Sequence, residues 1–160
     1  MTGNRADALA RLEVFVGEWV VETRFPGHRP APSGAAAESP RGRSRFEWDV
    51  GRQFLLQRTE IPVPGVPGSL AIVGADPETG AYTQHYYDTR GVARLYAMSL
   101  AGGVWTLTRE SADFTPLAFQ QRFTGTFSAD GNTISGAWEK RLDGGRDWER
   151  DFALTYRRAG

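Results

Sequence analysis

The chain has no cysteine, which excludes disulfide bonds, thiolate nucleophiles and zinc–thiolate sites. Its two histidines, His28 and His85, have no second histidine two or four residues away, so no paired metal motif is present. It also lacks a Gly-x-Ser-x-Gly elbow that would expose a serine nucleophile. Phosphate cradles of the Gly-x-Gly-x-x-Gly or Walker type are absent as well. Charge of either sign is not in excess: 19 basic and 19 acidic residues give a formal net charge of zero. The long-range field of a dedicated nucleic-acid or membrane-surface binder is therefore missing. No apolar run approaches the roughly 18 residues of a membrane helix. The first residues, Met1 to Arg11, lack the basic-then-apolar order of a signal peptide. Together these absences lead us to expect a soluble, cytoplasmic protein with no metal, no cofactor, no nucleic-acid partner and no membrane.

What is present points to strands. Nineteen glycines, nine prolines and 12% aromatic residues suit many short strands joined by tight turns. At 160 residues, a single domain over 1–160 is expected, large enough for a real core or an internal cavity. The organising stretch is Phe15 to Phe25. Ala6 to Val16 places Leu9, Leu12 and Phe15/Val16 on one helical side, and Gly17 ends that helix. Trp19 then opens a strand with the largest apolar side chain available to plug one end of a closed sheet. The next segment, 26–42, is rich in Pro, Ala, Ser and Gly and shows no periodicity, which predicts a flexible loop.

From Arg43 onward, strand patterns follow at spacings of roughly 8 to 15 residues. Their connections carry turn sequences, such as Asp76-Pro-Glu-Thr-Gly80, Asp88-Thr-Arg-Gly91 and Ala129-Asp130-Gly131-Asn132. The prolines between Pro62 and Gly68 cannot sit in a central strand, because proline lacks the ladder donor. About ten antiparallel strands with one short N-terminal helix result. A sandwich is the structural alternative, but closing a single meander into an up-and-down barrel removes both edges. The predicted fold class is therefore all-β, a ten-stranded barrel.

Several of these stretches resemble known proteins. A helix followed by Phe15-Val-Gly-Glu-Trp19 is similar to the Gly-x-Trp opening of the calycins, the superfamily of lipocalins and fatty-acid-binding proteins. Phe54-Leu-Leu-Gln-Arg58, Tyr87-Asp-x-Arg-Gly91, Gly136-x-Trp-Glu139 and the ending from Trp148 to Arg158 resemble bacterial nitrobindin-like and lipocalin-like barrels. The resemblance spans roughly residues 8 to 158. It implies a basic residue of the last strand, Arg157 or Arg158, packed across Trp19. It also implies a portal after the first strand. Pro30, Pro32 and Pro40 argue against the helix pair that fatty-acid-binding proteins place there, which leaves a flap. Nitrobindins hold haem through a last-strand histidine within His-Leu-His-Val-Thr-Tyr-Lys-Lys. That ending falls on Asp151-Phe-Ala-Leu-Thr-Tyr-Arg-Arg158, with Asp151 at the axial position. A carboxylate is a poor axial ligand, so haem is disfavoured unless His85 reaches the interior.

The five tryptophans and five tyrosines are the residues most able to line a cavity. Trp48, Phe54, Tyr87, Tyr96, Phe123, Trp138 and His85 are the candidate ligand-binding residues, and the expected ligand is a small, largely apolar molecule. The rival reading is an enzyme, a cyclase or isomerase with one acid/base drawn from His85, Asp151, Arg58 or Arg122. The arginines 29, 41, 43 and 45 beside Phe46 and Trp48 read as a solvated strand face rather than a single-strand binder. One ambiguity remains in Phe119 to Phe127 and Thr133 to Glu139, where an aromatic face alternates with a polar one. If the aromatic face points in, the cavity is apolar, and burial favours that arrangement. If it points out, the apolar exterior would invite a homodimer.

Overall fold

The computed structural model describes residues 3–25, 41–142 and 145–159. A short α-helix, α1 (Gly3–Arg11), runs into a 3₁₀ turn, Leu12–Phe15. Ten strands follow: β1 (Gly17–Arg24), β2 (Arg41–Asp49), β3 (Phe54–Glu60), β4 (Ser69–Ala75) and β5 (Tyr82–Asp88), then β6 (Ala93–Ala101), β7 (Val104–Arg109), β8 (Phe119–Phe127), β9 (Thr133–Leu142) and β10 (Glu149–Arg158). Each pairs antiparallel with its sequence neighbour, and β1 also pairs with β10, so the meander closes into a barrel with no free edge. The turns that close the hairpins are built as their residues dictate. In the β4–β5 connection Asp76 Oδ1 accepts from the Glu78 and Thr79 amides at 2.8 and 2.9 Å.

Antiparallel order gives the barrel two different ends. β1 leaves the helix end and every odd strand after it does the same, so the even strands return. The connections at 50–53, 76–81, 102–103 and 128–132 therefore gather at the helix end, which forms a floor. Those at 61–68, 89–92 and 110–118 gather at the other end, which forms the mouth.

The floor is an aromatic plug. Trp19 has no exposed surface, and its Nε1 donates to the Phe15 carbonyl at 2.8 Å. Phe15 in turn stacks on Phe46 (5.1 Å between centroids) and meets Trp105 edge-on at 4.9 Å. From above, Tyr82 donates its hydroxyl hydrogen to the Ala8 carbonyl and so pins α1 across the barrel. The Arg158 guanidinium lies 4.3 Å from the Trp19 ring and donates to the carbonyls of Val16 (2.8 Å) and Val14 (2.5 Å). Gly17 turns the chain into β1 at φ 125°, and a Cβ there would stand 3.2 Å from Arg158 Nη1. Glycine is required on both counts.

Two sequence expectations are corrected here, and one ambiguity is resolved in the direction that burial favours. Arg157 is not the residue over Trp19: alternation along β10 turns it outward, half-exposed and 3.8 Å from Glu22, while Arg158 shares the inner face with Tyr156. Of the loop expected over 26–42, Arg41 and Gly42 belong to β2, and residues 26–40 lie outside the described residues together with His28 and Arg29. On β8 and β9 the aromatic face points in: Phe123 and Ile134 are fully buried, whereas Thr124 and Ser135 are exposed. The apolar exterior that would invite a homodimer is therefore not formed on these strands. Among the described residues no helix is long and apolar enough to cross a membrane.

Candidate ligand-binding cavity

Above the plug the inward side chains fail to fill the barrel, and a cavity of about 350 Å³ extends up to the mouth. Its shape follows from residue size. Gly125 and Gly136 sit opposite each other on β8 and β9, and Phe123 occupies the room they leave. A Cβ at Gly136 would stand 2.5 Å from the Phe123 ring, so the glycine fixes where that ring lies. From Phe123 a continuous aromatic wall extends both ways. It meets Trp138 at 5.3 Å and Trp105 at 4.8 Å, and these reach Tyr96 (5.5 Å) and Tyr156 (5.9 Å) in turn. Val21, Leu107 and Leu154 complete the deep lining, and Phe25, Ile61, Val66, Phe119 and Phe152 stand toward the rim.

Set into this wall are neutral polar side chains from β3, β5 and β8. Gln57 donates from Nε2 to Ser44 Oγ at 3.0 Å and lies 3.5 Å from the Tyr156 hydroxyl. Burial pushes the Tyr156 phenol up to about 12, so it stays a neutral donor. Gln121 accepts from the Tyr96 hydroxyl at 2.9 Å. Gln84 lines the cavity at 3% exposure. Among the described residues three buried polar atoms lack partners, namely Thr23 Oγ1, Arg94 Nε and Trp105 Nε1, and all belong to cavity-lining residues. Such atoms are rare in folded proteins.

Charge enters only toward the mouth. Arg90 donates from Nη2 to Asp88 Oδ2 at 2.6 Å, and the Tyr86 hydroxyl donates to the same oxygen at 2.9 Å. Arg109 and Asp113 form a buried pair that pins the β7–β8 connection. Asp113 accepts from Arg109 Nε and Nη2 at 2.9 and 2.8 Å, and from the amides of Leu95 (2.7 Å) and Thr115 (3.0 Å). The guanidinium beside it holds the Asp113 carboxyl well below the usual carboxylate range.

The structure separates the candidate residues sharply. Tyr96, Phe123, Trp138 and Asp151 line the cavity. The others do not, and their expected place inside is corrected. Tyr82, Gln84 and Tyr86 take the inner face of β5, which turns His85 and Tyr87 outward, Tyr87 with 41% exposure. Arg58 is exposed on the outside of β3. Arg122 pairs outside with Glu139 at 3.0 Å and stacks on Trp148 at 4.3 Å. Phe54 lies against Gly74 on the outer wall, and Trp48 sits at the floor, donating to Glu13 at 2.6 Å. Sequence reasoning missed Gln57, Gln84, Gln121 and Arg94. The alternation of Phe119-Gln121-Phe123 was the one signal that could have placed a glutamine inside.

No family model matches this chain, and no curated protein matches it significantly. Thirteen chains of solved structures do match. One of them is a crystal structure of Rv2717c from M. tuberculosis, with a TM-score of 0.62 at 19% identity, covering 96% of this chain and 98% of that one. At that identity the likeness establishes the fold: a closed ten-stranded antiparallel barrel built over nearly the same length.

Proposed function

We propose that the barrel binds a small, largely apolar molecule in its interior, as the calycins that its opening motif resembles do. The observation that carries this reading is the cavity itself. A well-packed core has no room for a void of about 350 Å³ behind a continuous aromatic wall. That volume falls within the range of small-molecule sites, roughly 300–1,000 Å³. The neutral amides and phenols in the wall suit a ligand with a few hydrogen-bonding atoms on an apolar body.

The enzyme reading draws less support. It needs several titratable groups converging on one point, and of its four candidates only Asp151 lines the cavity. Haem fits poorly too. His85 faces away, and Asp151 offers a carboxylate where an imidazole would be wanted.

The test uses the neutral fluorophore N-phenyl-1-naphthylamine together with native mass spectrometry of freshly purified protein. The fluorophore should brighten and blue-shift on binding. In a folded Ala71→Phe variant, which fills the cavity, its affinity should fall at least tenfold. An affinity unchanged by that substitution would remove the cavity from consideration.

A further inference from the structure

Resting on that reading, the geometry points to a ligand that carries a single carboxylate, received by Arg94. Three other guanidiniums in or near the barrel interior have fixed partners. Arg90 has Asp88, Arg109 has Asp113, and Arg158 has two carbonyls and the Trp19 ring. Arg94 has no such anchor. It stands on the inner face of β6, lines the cavity and is half-buried. Nη1 donates to Gln121 Oε1 at 3.3 Å, and among the described residues Nε is buried with no acceptor. Among the described residues no carboxylate lies within 4.0 Å of it. The Phe119 ring, 6.0 Å from its Cζ, is its nearest compensation.

A partly desolvated cation without a counter-charge costs free energy that an arriving anion would recover. The surroundings specify which anion. Gln121 spends its oxygen on Tyr96 and Arg94, which leaves its amide N–H groups as donors beside the guanidinium. Gln84, paired with Tyr96 across β5 and β6, brings a second neutral amide to the cavity lining. One positive charge flanked by neutral donors matches one carboxylate, whose two oxygens suit the guanidinium fork. A phosphate dianion would need a second cation, and the nearby candidate, Arg90, is already held by Asp88. The one carboxylate among the described cavity-lining residues, Asp151, stands on β10, four strands away in the sheet order. With its head at Arg94 the ligand's apolar body points down onto Phe123, Trp105 and Trp138.

The probes are 2-naphthoate and its neutral isostere 2-naphthamide, each titrated by tryptophan quenching at pH 7.5. Wild-type protein should bind the naphthoate at least tenfold more tightly. Arg94→Met should abolish that preference and leave the naphthamide affinity within twofold, while Arg94→Lys should retain part of it. The outward Arg58→Met serves as control and should change neither. Equal wild-type affinities for the two probes, or a preference that survives in Arg94→Met, would overturn the carboxylate assignment. If N-phenyl-1-naphthylamine still reports the cavity in that case, ligand binding stands and only the charge of the ligand is wrong. The wild-type comparison holds even if Arg94→Met does not fold.

Discussion

Trp19 shows how much one side chain can determine. It joins the 3₁₀ turn to the first strand by donating its indole N–H to the Phe15 carbonyl, and it carries the Arg158 guanidinium on its face. Truncation to alanine would remove a fully buried ring that the closed floor cannot collapse to fill, and such losses cost about 3–5 kcal/mol. We expect Trp19→Ala to lower the melting temperature by roughly 6–20 degrees and Arg158→Gln to lower it less. Arg157→Gln, on the solvent side, should leave it unchanged. Thermal denaturation followed by circular dichroism reads all three, and a Trp19→Ala protein melting like wild type would refute the plug. The distinction between the neighbouring arginines was available in the sequence. Phe152, Leu154 and Tyr156 fix the inner face of the last strand, so Arg158 shares it. On β5 no such guide exists. Tyr82, Gln84 and Tyr86 alternate with Thr83, His85 and Tyr87, so each face carries both tyrosine and polar groups and period-2 reasoning separates them only weakly. The buried glutamines were illegible for a related reason. Residue type ranks glutamine as surface, and only a cavity to face reverses that ranking.

At the scale of elements, the turns made the strand count readable. Glycine, proline and aspartate mark nearly every hairpin, and Ser69–Ala75 and Phe119–Phe127 fall where their patterns place them. What pattern could not supply was the tie between an irregular connection and the barrel. The β7–β8 connection, residues 110–118, is held by Asp113, which bonds Arg109 on one strand and the Leu95 amide on another. Because the folded Asp113 pKa lies below its ordinary 3.8, the unfolded state binds more protons in the acid range. The stability from this pair is therefore complete above about pH 5 and is lost as pH falls through 3.8 toward the folded value. Urea midpoints should drop steeply between pH 5 and pH 3 in the wild type. Asp113→Asn leaves Arg109 buried without a counter-charge. It should be less stable at pH 7 by about 3–5 kcal/mol and show a flatter acid limb. An identical acid limb in the variant would mean that other carboxylates set it.

At the scale of the whole molecule, closure and capping together dictate the route to the cavity. Every strand is paired on both sides, so nothing passes through the wall. The helix and the Trp19 plug seal the floor, and α1 is pinned there by Tyr82. Only the mouth remains, and among its described edges the β3–β4 connection leans furthest over the cavity, since Ile61, Gly65, Val66 and Pro67 all line it. Prolines at 62, 64 and 67 stiffen this segment, each fixing its own φ. A bulky side chain added there narrows the entrance without touching the aromatic wall below. Entry and exit share that entrance, so both rates should slow together while their ratio holds. We therefore expect Val66→Trp to reduce the association and dissociation rates of N-phenyl-1-naphthylamine by similar factors of about three to ten, with Kd changed less than twofold. Phe127→Leu, at the floor, should alter neither rate. Stopped-flow fluorescence measures both constants directly. Association unaffected by Val66→Trp but accelerated by Phe127→Leu would show that ligands enter through the floor, and the plug would have to be an opening rather than a seal.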